Sequence, residues 1–187
     1  MAHPQPLAAA DLIREFVNTR NVEQRTDELT SPEALARWLR HHGLLAGHAD
    51  VGERDRRLAV DLREALRETL LTHHDSAGEP AAPDLERLAG DLPLRLAFPA
   101  GGPRLEPAAP GVRGALAAVV AAVYQAVADG SWSRLKACPA EDCTWAFYDA
   151  SKNRSRTWCS MQVCGNRAKT RTFRTRHTAT PSDAVRA

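Results

Sequence analysis

Four cysteines in two matched pairs constrain this chain more than any other feature. Cys138 and Cys143 bracket Pro-Ala-Glu-Asp, Cys159 and Cys164 bracket Ser-Met-Gln-Val, and fifteen residues separate the pairs. Two short cysteine pairs about 15–20 residues apart are the sequence mark of a tetrahedral four-thiolate zinc site, each pair forming a knuckle that presents two sulfurs. A thioredoxin-like redox couple needs C-x-x-C, which neither spacing supplies. Four unrelated buried thiols would have no reason to pair at equal spacing. The expectation is therefore one structural Zn2+ per chain, held by Cys138, Cys143, Cys159 and Cys164. Four thiolates close the tetrahedron and leave no position for a catalytic water. Such a site contributes about 10–16 kcal/mol of apparent binding free energy to folding, so the finger is expected to collapse without metal. The fifteen intervening residues must leave and return, which suits a short hairpin. They supply Trp145, Phe147, Tyr148 and Trp158, four of the chain's ten aromatic residues, as a small core beside the metal.

Charge is split along the chain in a way its net value of +2 conceals. Residues 1–130 carry 14 Arg and 19 acidic residues, net −5, whereas residues 131–177 carry 10 Lys or Arg and 3 acidic residues, net +7. An acidic body with a basic, cysteine-bearing end points to a polyanionic partner, most often nucleic acid. Behind Cys164, the run NRAKTRTFRTRH reads as a helix whose Arg167, Arg171 and Arg174 fall at i, i+4 and i+7, one cationic face. Asn166 stands at its start, Lys169 flanks the face, and Phe173 is expected to dock the helix on the finger. The loop SKNRSRT adds Arg154 and Arg156. Arg pairs with phosphate or with guanine and Asn with adenine, so Arg154, Arg156, Asn166, Arg167, Lys169, Arg171 and Arg174 are the candidate DNA contacts. A solvated basic face, a protein partner or RNA would use the same composition.

The preceding 130 residues read as one mainly helical domain. Leu12, Ile13, Phe16 and Val17 recur in helical spacing. TSPEALARWLRHHG has a Ser/Thr cap, Pro32 in the first turn and Gly43 beyond the end. Leu58, Leu62, Leu66 and Leu70 mark an amphipathic helix. DSAGEPAAPD is a turn or surface loop, and a shorter helix is expected around Leu85–Leu88. Leu94, Leu96 and Phe98 then alternate with other residues ahead of Gly101–Gly102, which predicts a β-hairpin. The apolar run 114–130 is interrupted by Gln125 and is shorter than the ~20 residues of a membrane span, so it reads as a buried helix. His41–His42 and His73–His74 are adjacent and not four apart, the wrong spacing for ligands on one helix face, so they read as helix-ending residues. No P-loop, G-x-S-x-G or G-x-G-x-x-G occurs, and an enzyme is not expected. The first residues lack the basic segment of a secretory signal. The expected compartment is the cytoplasm, where thiols stay reduced.

The assembled residues resemble a known family. The segment from Cys138 to Arg176 is similar to the CGNR zinc finger, with CGNR itself at Cys164–Arg167, Trp145 after the second cysteine and WCSM at 158–161. EFVNTR, ALARWLRHHGLL and LREALRETLL resemble, more loosely, the ABATE domain that precedes this finger. The resemblance implies a bacterial, stress-linked transcription regulator with the cysteines as zinc ligands and the finger on DNA. The reading is thus an α+β chain: a mainly helical ABATE-like domain with a small β element (1–130), a treble-clef-like four-cysteine finger (131–177) and a flexible tail (178–187). The body is expected to sense a small-molecule effector or to form a homodimer, with no membrane involved.

Overall fold

The computed structural model describes residues 8–74 and 82–178. The loop expected at 75–84 therefore lies mostly outside the described residues, as does the expected tail from residue 179 onward. Helix α1 (Ala9–Val17) buries Leu12, Ile13, Phe16 and Val17, the stripe its spacing anticipates. A two-residue hairpin follows, β1 (Arg20–Asn21) against β2 (Thr26–Asp27). Strands this short lie below what hydrophobic alternation can register. Helix α2 (Pro32–His41) opens on Ser31, whose hydroxyl accepts from the Ala34 amide at 3.2 Å, and ends before Gly43 at φ +68°. This is a side-chain cap satisfying one of the free N–H groups of a first turn. Helix α3 (Glu53–Thr72) is the longest, with Leu62, Leu66 and Leu70 fully buried.

After α4 (Pro83–Gly90), strands β3 (Leu94–Ala97) and β4 (Arg104–Pro107) pair antiparallel with Leu94 opposite Pro107. The hairpin is where alternation placed it, but its apolar face is only partly covered: Leu94 packs against the core, whereas Leu96 is 57% and Phe98 77% exposed. Glu106 holds it by ion pairs to Arg95 at 3.0 Å and Arg104 at 2.8 Å. Helix α5 (Gly111–Ala128) is long and apolar enough, by length and composition alone, to cross a bilayer. Here Val112, Leu116, Val119 and Ala126 face the protein core, and α5 packs on α1.

The core does not part at Gly130. A 3₁₀ turn at Trp132–Arg134 buries Trp132 against the helices and leads into β5 (Leu135–Ala137), paired with β6 (Ala146–Tyr148). Leu135, Ala137 and Ala146 belong to the same apolar cluster as Phe16, Leu66 and Leu116. One side of this hairpin thus completes the body's core, while the other carries Lys136 and Phe147 toward the cysteines. The hairpin encloses the first cysteine pair and does not span the interval between the pairs, as the sequence suggested. Residues 149–158 return as a loop. A π-helical turn (Met161–Gly165) then runs into α6 (Asn166–Thr178), so the first residue of the expected tail is still helical.

Candidate metal centre and basic helix

Both cysteine pairs are placed by backbone hydrogen bonds. The Cys138 amide donates to the Trp145 carbonyl at 2.9 Å as β5 ends, and the Cys143 amide closes a turn on Ala140 at 2.9 Å. Ser160 starts the second knuckle by accepting from the Val163 amide, and Gly165 donates back to the Ser160 carbonyl. A side chain at Gly165 would meet the Met161 sulfur at 2.5 Å and Trp158 at 3.2 Å, so it would have to displace the Met161 side chain from against the second knuckle.

The four sulfurs lie within 4.8 Å of one another, with Cys143 to Cys159 at 3.4 Å and Cys159 to Cys164 at 3.6 Å. With zinc–sulfur bonds of about 2.3 Å, a regular tetrahedron has edges of about 3.8 Å. The cage fits one zinc ion. Phe147, Trp145 and Trp158 pack around it, three of the aromatics that the sequence set aside for this purpose. The Cys138 thiol is held below its ordinary range, chiefly by the hydrogen bond from Cys143, whose own thiol is pushed up by that bond. Burial raises Cys159. A divalent cation resolves this competition by letting all four sulfurs ionise.

A buried ion pair organises the return loop. Lys136, 3% exposed, reaches Asp149, fully buried, at 2.9 Å, and also donates to the Arg154 and Arg156 carbonyls. Asp149 further accepts from the Ser151 hydroxyl at 2.6 Å and the Arg156 amide at 2.9 Å. Burial alone would raise this carboxyl, but Lys136 and these hydrogen bonds outweigh it and hold it well below the usual range. The neutralised, fully bonded arrangement is what makes a buried carboxylate tolerable.

The finger is also tied to the body by polar groups. The Asn18 amide forms a two-way pair with the Ala146 backbone at 2.8 and 2.9 Å, in effect extending β6. Arg67 on α3 donates to the Val17 carbonyl at 2.6 Å and to the Thr144 carbonyl at 2.8 Å, where Thr144 takes a left-handed φ of +52°. His73 and His74 meet the Leu135 and Ala137 carbonyls, each at 2.7 Å. These residues do close a helix, but they also brace β5, a role that adjacent spacing does not disclose. Arg63 and Arg67, four apart beside the leucine stripe of α3, were likewise not singled out from sequence. Long charged side chains next to a core stripe gave the only hint.

Two family profiles match the chain: the CGNR zinc finger over residues 134–177, and ABATE, described as "Putative stress-induced transcription regulator", over residues 10–140. The second covers well over half of the sequence. The chain belongs to the ABATE family. A search of curated proteins returns no match. The two matched regions of this ABATE chain overlap at 134–140, the stretch containing β5, which serves core and finger at once.

The seven candidate DNA contacts of this ABATE protein fall into two sets. Arg154 donates to the Ser133 hydroxyl at 2.9 Å and takes a φ of +51°. Arg156 stacks on Phe147 with its guanidinium carbon 4.7 Å from the ring centre, and donates to the Trp158 and Cys159 carbonyls. Arg167, within CGNR, pairs with Asp142 at 2.7 Å and with Glu23 of the β1–β2 turn at 2.7 Å, and lies 3.8 Å from the Cys164 sulfur. These three fasten the finger. The Asn166 amide donates to the Gln162 carbonyl at 3.0 Å. Lys169, Arg171 and Arg174 are exposed, and the two arginines line a groove along α6 that Asn166 and the bracing Arg167 also border. Phe173, expected to dock the helix on the finger, is 61% exposed.

Proposed function

We propose that this protein is a zinc-dependent DNA-binding regulator that acts by binding and not by turnover. The carrying observation is the placement of Lys169, Arg171 and Arg174, exposed along one helix that starts at the closed thiolate cage. The cage fixes the first turn of α6, so zinc decides where these cations point. Lys152 on the return loop adds a further exposed cation. Arg154, Arg156 and Arg167 serve first as braces, and any phosphate contact they make is secondary to that. In this reading the body senses an effector or forms a dimer; the family description supports the regulator role alone.

A protein partner has one observation in its favour: Met161, Val163 and Phe173 are exposed on the same part of the finger. Salt separates the two readings. Selection from a random duplex pool, followed by titration of the enriched sequence, should give a log–log salt slope of about −4.5 if about five phosphates are engaged. Enrichment should vanish with Cys159→Ser. A slope near zero with no enriched motif would defeat the DNA reading and leave the protein partner.

A further inference from the structure

A cleft of about 680 Å³ opens where α1, β2, one face of α2 and the finger meet. We infer that it binds a small aromatic zwitterion, an α-amino acid with a flat side chain, as the effector of the regulator proposed above. The inference rests on that reading for its purpose but not for its chemistry.

Two indoles flank the cleft. Trp38 comes from the body, wedged between Phe16 at 5.3 Å and His42 at 3.9 Å between ring centres, and Trp145 comes from the finger. Aromatic walls of this kind take a flat apolar body. Charges of both signs share the rim. Asp27 is already committed to Arg63 by bonds of 2.7 and 2.9 Å, and Arg14 to Asp11 at 2.9 Å and more loosely to Glu15 at 3.8 Å, which leaves Glu28 and in part Glu15 as the carboxylates and Arg37 as an exposed guanidinium. An ammonium group suits the first two and a carboxylate suits the third. The nearly buried His42 side chain, 9% exposed, supplies the independent sign of an unfinished site. Its Nε2 has no hydrogen-bond partner and lies 3.5 Å from Glu15, too far for a good bond. A ligand that drew Glu15 aside would expose this nitrogen to a partner of its own.

The position of the cleft gives binding a consequence. Trp145 holds the Cys138 amide through its carbonyl, two residues beyond the ligand Cys143. Glu28 lies just past β2, in the hairpin whose turn offers Glu23 to Arg167. A molecule seated between Trp145 and Glu28 therefore touches the hairpin strand that places Cys138 and the segment next to the turn that holds Arg167, two of the contacts that set α6.

The test is calorimetry on the zinc-loaded full-length protein with L-phenylalanine, phenethylamine and phenylacetate. Phenylalanine should bind one to one, at least tenfold tighter than either single-charge relative. Arg37→Ala should weaken phenylalanine about tenfold and leave phenethylamine unchanged, whereas Glu28→Gln should weaken both; such a factor corresponds to about 1.4 kcal/mol. Both residues are exposed, so the variants should keep zinc content and melting temperature. No saturable heat from any probe up to about 10 mM, or binding indifferent to both substitutions, would overturn the site. The same preparation is then titrated with its selected DNA, with and without phenylalanine. Ligand binding without DNA binding removes the regulator reading and keeps the cleft, and DNA binding without ligand does the reverse. If both occur but neither affects the other, the effector role is lost.

Discussion

The two halves of the finger, built from one sequence module, belong to different physical regimes. The hairpin β5–β6 has its apolar side in the body's core and its polar groups bonded to Asn18, Arg67, His73 and His74. Helix α6 has exposed cations and an exposed aromatic, and its fixed end is the cage. Zinc, together with the Arg167 ion pairs to Asp142 and Glu23, ties a half seated on the body's core to a half whose cations are exposed. Removing metal should thus loosen α6 more than the hairpin.

That contrast can be broken most directly at the metal. Cys159→Ser or chelation should forfeit much of the about 10–16 kcal/mol of apparent zinc binding energy. Hydrogen exchange should then show a larger loss of protection in the knuckles and α6 than in β5 and β6. Full retention of protection in the hairpin would mean the two halves are independent of zinc and of each other. Next in size is Asp149→Ala, which leaves Lys136 buried without its partner. Breaking a buried pair costs about 3–5 kcal/mol, read as a lower denaturation midpoint in zinc-replete protein. If Lys136 and Asp149 couple little in a double-mutant cycle, the return loop is held by something else.

Smaller again is Arg67→Met, which removes the hydrogen bonds to Val17 and Thr144. Hydrogen bonds from charged donors are worth about 1.5–3 kcal/mol each, partly offset because the buried guanidinium no longer has to be desolvated, so the unfolding free energy should fall by about 1.5–3 kcal/mol in all with zinc content unchanged. Arg167→Ala and Arg171→Ala sharpen the comparison on the functional side. Arg167→Ala should raise exchange in the β1–β2 turn by freeing Glu23, whereas Arg171→Ala should leave exchange unchanged and reduce the DNA salt slope by about 0.9. The reverse pattern would return Arg167 to the role expected of it from sequence. The smallest effect belongs to His42, whose pKa is lowered, chiefly by burial, despite the opposing pull of Glu15. An unfolded chain binds this proton more readily, so its contribution to stability is present above about pH 6.5 and is lost as pH falls below that value. His42→Gln should flatten the pH dependence of the melting temperature between about pH 5 and 7 relative to the parent.

Much of the architecture was legible in the residues. Leu12 to Val17, Ser31 with Pro32, and the leucines of α3 each state a local rule that tertiary contacts did not need to amend. Leu94 to Phe98 stated its rule too, but only the pairing followed: nothing among the described residues covers Leu96 and Phe98. Other features have no local signature. Arg63 and Lys136 look like surface residues until Asp27 and Asp149 meet them from 36 and 13 positions away.

The sequence alone determined the zinc cage, because ligand type and spacing are local and a tetrahedral ion accepts few alternatives. It determined the charge of α6 for the same reason, since a helical repeat decides which residues share a face. Tertiary structure decided which of the arginines are braces and which face outward. It also decided that the finger shares the body's core, and that Trp145 and Trp38 face one cleft. Those outcomes depend on contacts between distant segments, where burial and the need to satisfy every buried charge select partners that spacing cannot name.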